Sequence, residues 1–234
     1  TRLEHVSTTI VEKPQDGIAT VAERIAKLIN RRNENGQKTV LSLASGRSMR
    51  DLFVELVRLY KEEGLSFKNV IIFGSYEFYP LADKSLGSMA QIQNQLLDHI
   101  DILPENVHTF PGDLPKETIF TFCEEYEKAI EAAGGIDIQV LGIGQCGNIA
   151  VNEPGTQPNS STRLVIMDSN SRMDAKSLFG HATQVPTCAI TLGIDTILQA
   201  KEVILLAFGQ HKASIVKQAI EEVANAACPA SYLQ

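Results

Sequence analysis

Three features of the sequence predict an α/β fold, a modified doubly wound and mostly parallel sheet with helices on both faces. Apolar runs of strand length alternate with stretches of helical period, the runs end in glycine-containing turns, and no linker, long charge run or internal repeat divides the 234 residues. Residues 1–234 are therefore expected to form one Rossmann-like domain. At this length roughly 70% of the unfolded chain's surface can be buried, so the core needs no disulfide staple.

The elements follow in order. Val6 to Val11 is a short β-rich run, and Ile18, Val21, Ala22, Ile25, Leu28 and Ile29 then recur at helical spacing. Thr39 to Ala44 reads as a buried strand that stops at Ser45-Gly46, and Leu52, Phe53, Leu56, Val57 and Tyr60 mark one side of the next helix. Val70 to Phe73 is a strand and Met89 to Ile100 a helix. Ile119 to Ala133 is another helix, with Glu124, Glu125, Glu127 and Lys128 on its solvated side. Ile136 to Ile143 is a strand, Val203 to Phe208 the last clear strand, and Lys212 to Ala224 the last clear helix. Residues 155–190 carry little periodic signal and much Ser, Thr, Asn and Gln, so they read as loops and short elements over the mouth of a site.

Composition narrows the function. A net charge of −7 argues against a nucleic-acid binder, which needs a basic face for phosphates, yet still permits a phosphorylated metabolite held by a few converging donors. Cys123, Cys146, Cys188 and Cys228 form no CxxC pair, so reduced thiols are expected rather than a zinc site. No segment approaches the ~18 apolar residues of a membrane span, and the first residues lack a signal-peptide pattern. A cytoplasmic protein with no metal, cofactor or membrane is expected.

In open α/β sheets ligands sit beyond the carboxyl ends of the strands, here near residues 45, 74, 144 and 209. The first of these is Ser45-Gly46-Arg47-Ser48. Its glycine allows close backbone approach, and the amides of the following helix can hold a phosphate, although Ser48 could equally be that helix's N-cap. The third is Gly142-Ile143-Gly144-Gln145-Cys146-Gly147-Asn148, running on to Asn152-Glu153-Pro154-Gly155.

The strings LSLASGRS, IIFGSYEFYPL, LGIGQCGNIAVNEPG and ITLGIDTIL, in this order, resemble the glucosamine-6-phosphate deaminase (isomerase) family over essentially the whole chain. The Asn-Glu-Pro-Gly segment favours it over the related 6-phosphogluconolactonases. The resemblance implies conversion of glucosamine 6-phosphate to fructose 6-phosphate and ammonia, and it implies which positions perform it. Where the family has an Asp-Glu pair whose Asp is the general base, this chain has Tyr76-Glu77. Where it has an Asp and a ring-opening His ahead of a Glu, this chain has Cys146, Asn148 and Glu153.

A phenol of pKa ~10 is a poor base at neutral pH, and an amide cannot shuttle a proton. Cys146 could act as a nucleophile only with a neighbouring base. Ser45, Gly46 and Ser48 match the family's phosphate loop, and Lys212 its phosphate lysine. The lid arginine falls on Ser177, and Arg172 matches a different family arginine. Arg47 either supplies the missing charge or plugs the pocket; His211 reads as a loop histidine. Arg163 matches part of an allosteric phosphate site whose lysine is Val165 here.

Two readings follow. One is a sugar-phosphate binder whose parent deaminase activity is lost or very low. The other is an active isomerase or deaminase in which Glu77, Glu153 or Tyr76 take new roles. The resemblance further implies a missing C-terminal segment, and hence a homo-oligomer or a partner domain.

Overall fold

A computed structural model describes residues 4–234. Its main sheet contains β1 (Thr39–Leu43), β2 (Val70–Gly74), β4 (Val107–His108), β5 (Ile138–Gly142) and β8 (Val203–Leu206), in the order β4-β2-β1-β5-β8 and parallel throughout. Alternate side chains of these strands enter two separate cores. Leu41, Leu43, Val70, Ile72, Ile138 and Val140 pack on one face, and Val40, Ile71, Phe73 and Leu141 on the other. The first face is covered by α1 (Pro14–Glu34), α2 (Arg47–Glu63) and α3 (Ser88–Gln95), the second by α4 (Ile119–Ala132), α6 (Ile194–Leu198) and α7 (Ala213–Glu221). With both faces covered, parallel strands become largely apolar, and that is how β1 and β2 are legible in the sequence.

A second, antiparallel sheet was not expected. It comprises β3 (Tyr76–Tyr79), β7 (Cys188–Thr191) and β6 (Arg163–Ile166), in the order β3-β7-β6. Only Ser75 separates β2 from β3, and this residue joins the sheets: its amide donates to the Leu43 carbonyl and its carbonyl accepts from the Leu192 amide, each at 3.0 Å. Beneath the junction lies a buried polar seam, with Ser42 Oγ 3.2 Å from Ser75 Oγ and Gln139 Nε2 donating to Ser75 Oγ at 3.0 Å.

Residues 155–190 are therefore more ordered than their composition suggests. They contain β6, β7 and α5 (Ser169–Phe179), and α5 is capped by Asp168, whose side chain accepts from the Asn170 amide at 2.8 Å. The helical period is faint because Phe179 is the only buried residue of α5.

Val6 to Val11 is not a strand. The segment has no partner strand, Ile10 is 89% exposed, and β propensity without a neighbour to pair with does not make a strand. The segment is anchored instead through His5, whose amide donates to the Ile220 carbonyl. The helix expected from Met89 to Ile100 leaves α geometry after Gln95 and continues as a 3₁₀ turn over Leu97–His99. No helix among the described residues is long and apolar enough to cross a membrane.

Candidate functional site

The chain runs β1, β2, β4 towards one edge of the sheet, then returns to place β5 and β8 on the other side of β1. The order reverses between β1 and β5, so the crevice outside their carboxyl ends is where a ligand belongs. Gly46 follows β1 with φ 123° and ψ 177°, a conformation that L side chains rarely adopt, and it stands at the N-cap position of α2. No side chain caps α2, so Ser48, inside the first turn, is not the cap. From there Ser48 faces the end of β5: a Cβ on Gly142 would lie 3.8 Å from Ser48 Oγ.

On one flank of the crevice, Tyr76 holds Ser45. Its phenol is 2.9 Å from Ser45 Oγ, which also accepts from Gln91 Nε2 at 3.4 Å. Burial pushes the Tyr76 phenol further above its ordinary value, so it remains protonated at neutral pH and is not a base. The neighbouring Glu77 is committed elsewhere. Its carboxylate accepts the amides of Phe78 and Ser88 at 2.8 Å and that of Met89 at 2.9 Å, and so closes the N-terminus of α3. Burial still raises its carboxyl above the usual range against those three donors. Glu77 thus has a structural task at the start of α3.

The opposite flank is the loop after β5. The Gly144 amide donates to the Asn148 carbonyl at 2.9 Å, and a Cβ at residue 144 would fall 1.9 Å from Asn148 Oδ1, so a side chain there would displace the Asn148 amide group. From this loop the polar side chains reach α5. Asn148 Nδ2 donates to Ser171 Oγ at 3.3 Å, Asn170 Nδ2 approaches Cys146 Sγ at 3.5 Å, and Gln145 Nε2 donates to Asp174 Oδ1 at 2.9 Å. Glu153 closes the set, accepting from Ser171 Oγ at 2.9 Å and from the Asp168 amide at 3.2 Å. Burial raises the Glu153 carboxyl above its ordinary value, the Ser171 and Asp168 donors oppose this, and the nearby Asp168 and Asp174 charges add to it. Asn170, Ser171 and Asp174 were missed in the sequence. The capping pattern Asp168-Ser169-Asn170-Ser171 would have announced a helix start there.

The reversing parallel sheet, the serine-glycine turn and the Asn152-Glu153-Pro154-Gly155 run agree with the family that the sequence resembles. The match to it spans residues 12–234, described as glucosamine-6-phosphate isomerases/6-phosphogluconolactonase. The chain belongs to this family.

Among its relatives is a Bacteroides thetaiotaomicron protein named glucosamine-6-phosphate deaminase-like, 46% identical over 235 residues. The matched region is 100% of this chain but 35% of that protein, so the chain spans about a third of its length. A glucosamine-6-phosphate deaminase of Shewanella woodyi is 40% identical over 92% of this chain and 81% of that one. Among solved structures, a monomeric glucosamine-6-phosphate deaminase superposes with a TM-score of 0.91 at 30% identity, covering 97% of this chain and 92% of its own. A 6-phosphogluconolactonase from Thermotoga maritima, at TM-score 0.70 and 22% identity, shares the fold.

A sugar phosphate would carry negative charge, which makes the place of the chain's cations informative. Arg47 is exposed at the first position of α2. Lys212 is half-buried where the turn after β8 enters α7, with His211 exposed beside it. Arg172 Nη2 donates to the Val185 carbonyl at 3.2 Å, and Ser177 is exposed on the same helix. Arg163 lines an open groove of about 470 Å³ together with Glu153, Gly155 and Thr156, next to the crevice and not within it. Its guanidinium is already engaged by Asn152 Oδ1 and the Ser161 carbonyl at 3.1 Å and by Thr156 Oγ1 at 3.4 Å, and burial lowers its pKa.

Proposed function

We propose that the chain binds an amino-sugar 6-phosphate in the crevice between β1 and β5 and deaminates it very slowly or not at all. The observation that carries this reading is the state of three side chains. Where the resemblance places two aspartates and a histidine stand a phenol, a thiol and an amide, each held in a polar contact: Tyr76 with Ser45, Cys146 with Asn170 and Asn148 with Ser171. None of them can move a proton at neutral pH in the way those groups do. Loss of a general acid or base costs about 10²–10⁴-fold, and losses within one catalytic unit do not simply add.

Phosphate recognition rests on groups that remain. Ser45, Gly46, Arg47 and Ser48 open α2 beneath the uncapped amides of its first turn, and Lys212 stands at the end of β8. Glu153 is the acid–base group left at the mouth; it would orient a sugar hydroxyl or ring oxygen, and its raised pKa suits it to hold or release a proton there. That the solved deaminase with the same fold is described as monomeric supports a site complete within one copy.

The test is thermal stabilisation by glucosamine 6-phosphate and fructose 6-phosphate, with ammonia measured in the same samples. Ligand at 100 times its dissociation constant adds about 2.7 kcal/mol, which a melting curve resolves. A melting shift without ammonia is expected. Ammonia release at ordinary enzymatic rates would overturn the proposal. The triple change Tyr76→Asp, Cys146→Asp and Asn148→His is expected to raise ammonia release above that of the unchanged chain.

A further inference from the structure

A hydroxyl group carries one proton, so a donor seated on its oxygen decides where that proton points. Ser171 is in this position. Its oxygen accepts from Asn148 Nδ2 at 3.3 Å, and its proton goes to Glu153 Oε2 at 2.9 Å. The other carboxylate oxygen is met by the Asp168 amide at 3.2 Å, so both oxygens of Glu153 are fixed by the first turn of α5 and its cap. The helix is also fastened to the glycine loop, through Asn170 with Cys146 in its first turn and Gln145 with Asp174 in its second. Residues 148 and 153 are thus linked by a bridge through a third residue from a different element.

We propose that Ser171 is a positioning residue for the Glu153 carboxyl, and that Asn148 acts on that carboxyl only through the Ser171 hydroxyl. This rests on the reading of Glu153 as the acid–base group left at the site. The charges that face Glu153 are Asp168 and Asp174, from the α5 side, while Arg163 of β6 lines the adjoining groove. Both acids disfavour the carboxylate, and the Ser171 hydroxyl and Asp168 amide favour it. Ser171 is therefore the only side-chain hydrogen-bond donor to this carboxylate among the described residues.

The experiment is a pH titration of the Glu153 carboxyl carbon by NMR in the full chain labelled with carbon-13 glutamate, the resonance being assigned with Glu153→Gln. In Ser171→Ala the midpoint is expected to move to higher pH, and Ser171→Thr, which restores a hydroxyl, to return it towards the original value. Asn148→Ala is expected to move it in the same direction by less, and to add nothing in the Ser171→Ala background. A melting curve of each variant confirms that it is folded. An unchanged midpoint in folded Ser171→Ala would overturn the proposal, as would a further shift from Asn148→Ala in its absence. The underlying reading fails differently: Glu153→Gln would then leave ligand-induced stabilisation and its pH profile as they were, while the titration result stood.

Discussion

All five residues of β1 are buried, whereas β6 alternates half-buried with exposed and leaves Ile166 80% exposed. β1 lies in the middle of a five-stranded sheet with a core on each face; β6 is an edge strand of a three-stranded sheet whose core is a small separate cluster around Phe78, Val151, Met167 and Phe179. The crevice is built from both regions. The first supplies the turn of Gly46 and the loop after β5, and the second supplies α5, which carries Ser171. The Gly46 turn thus comes from the deep core, and the Ser171 hydroxyl that donates to Glu153 comes from the thinly buried unit. Segments with few buried apolar contacts are the ones that open locally at low cost.

The contrast can be broken most severely in the deep core. Phe73→Ala, at a fully buried ring between His108 and Tyr126, is expected to cost about 3–5 kcal/mol by denaturant unfolding. Phe179→Ala should produce a smaller change in the global midpoint but a marked loss of amide protection confined to α5, because Phe179 is that helix's only buried anchor. Equal global losses from the two would show that the molecule has one cooperative core and not two.

Glu77→Ala is next in size. Three amides lose their acceptor, for an expected cost of about 2 kcal/mol, and Glu77→Gln, which keeps an acceptor oxygen, should recover part of it. Asp168→Ala removes the α5 cap and should cost about 1 kcal/mol, seen as faster hydrogen exchange over Ser169–Phe179. Here the effect on ligand response is the sharper reading, since α5 also positions Ser171.

The smallest expected effect is a pair of opposing pH slopes. Burial lowers the pKa of His108 from its ordinary 6.5, so the unfolded chain binds this proton more readily, and stability is lost as pH falls through 6.5 towards the folded value. Glu153 works in the other direction. Its raised folded pKa makes the folded chain bind the proton more readily, so its contribution is lost as pH rises from 4.5 through the folded value. Glu153→Gln should therefore raise the melting temperature slightly at neutral pH while weakening the site, and His108→Phe should flatten the acid side of the melting profile.

Legibility followed burial. The strands at 39–43 and 70–74 and the helices α1, α2 and α4 stood out because a two-faced core imposes largely apolar runs and wide apolar stripes. Residues 155–190 did not, because a helix with one buried residue and a strand with an exposed face carry little periodic signal. In the site, Ser45, Gly46, Ser48, Asn148 and Glu153 could be named from local strings. Ser171, Gln91 and Asn170 could not, since their partners lie 18 to 23, 46 and 24 positions away in sequence, respectively.

The sequence by itself determined the class of fold, the two glycine turns and the chemical types at the substituted positions, because each is written in residues a few places apart. Only the tertiary structure decided what those residues do. It turned Glu77 into the cap of α3, set Tyr76 against Ser45 and joined Arg172 to Val185. It also placed a serine hydroxyl between Asn148 and Glu153. Hydrogen bonds depend on positions fixed to a fraction of an ångström, and only the packing of distant elements fixes those.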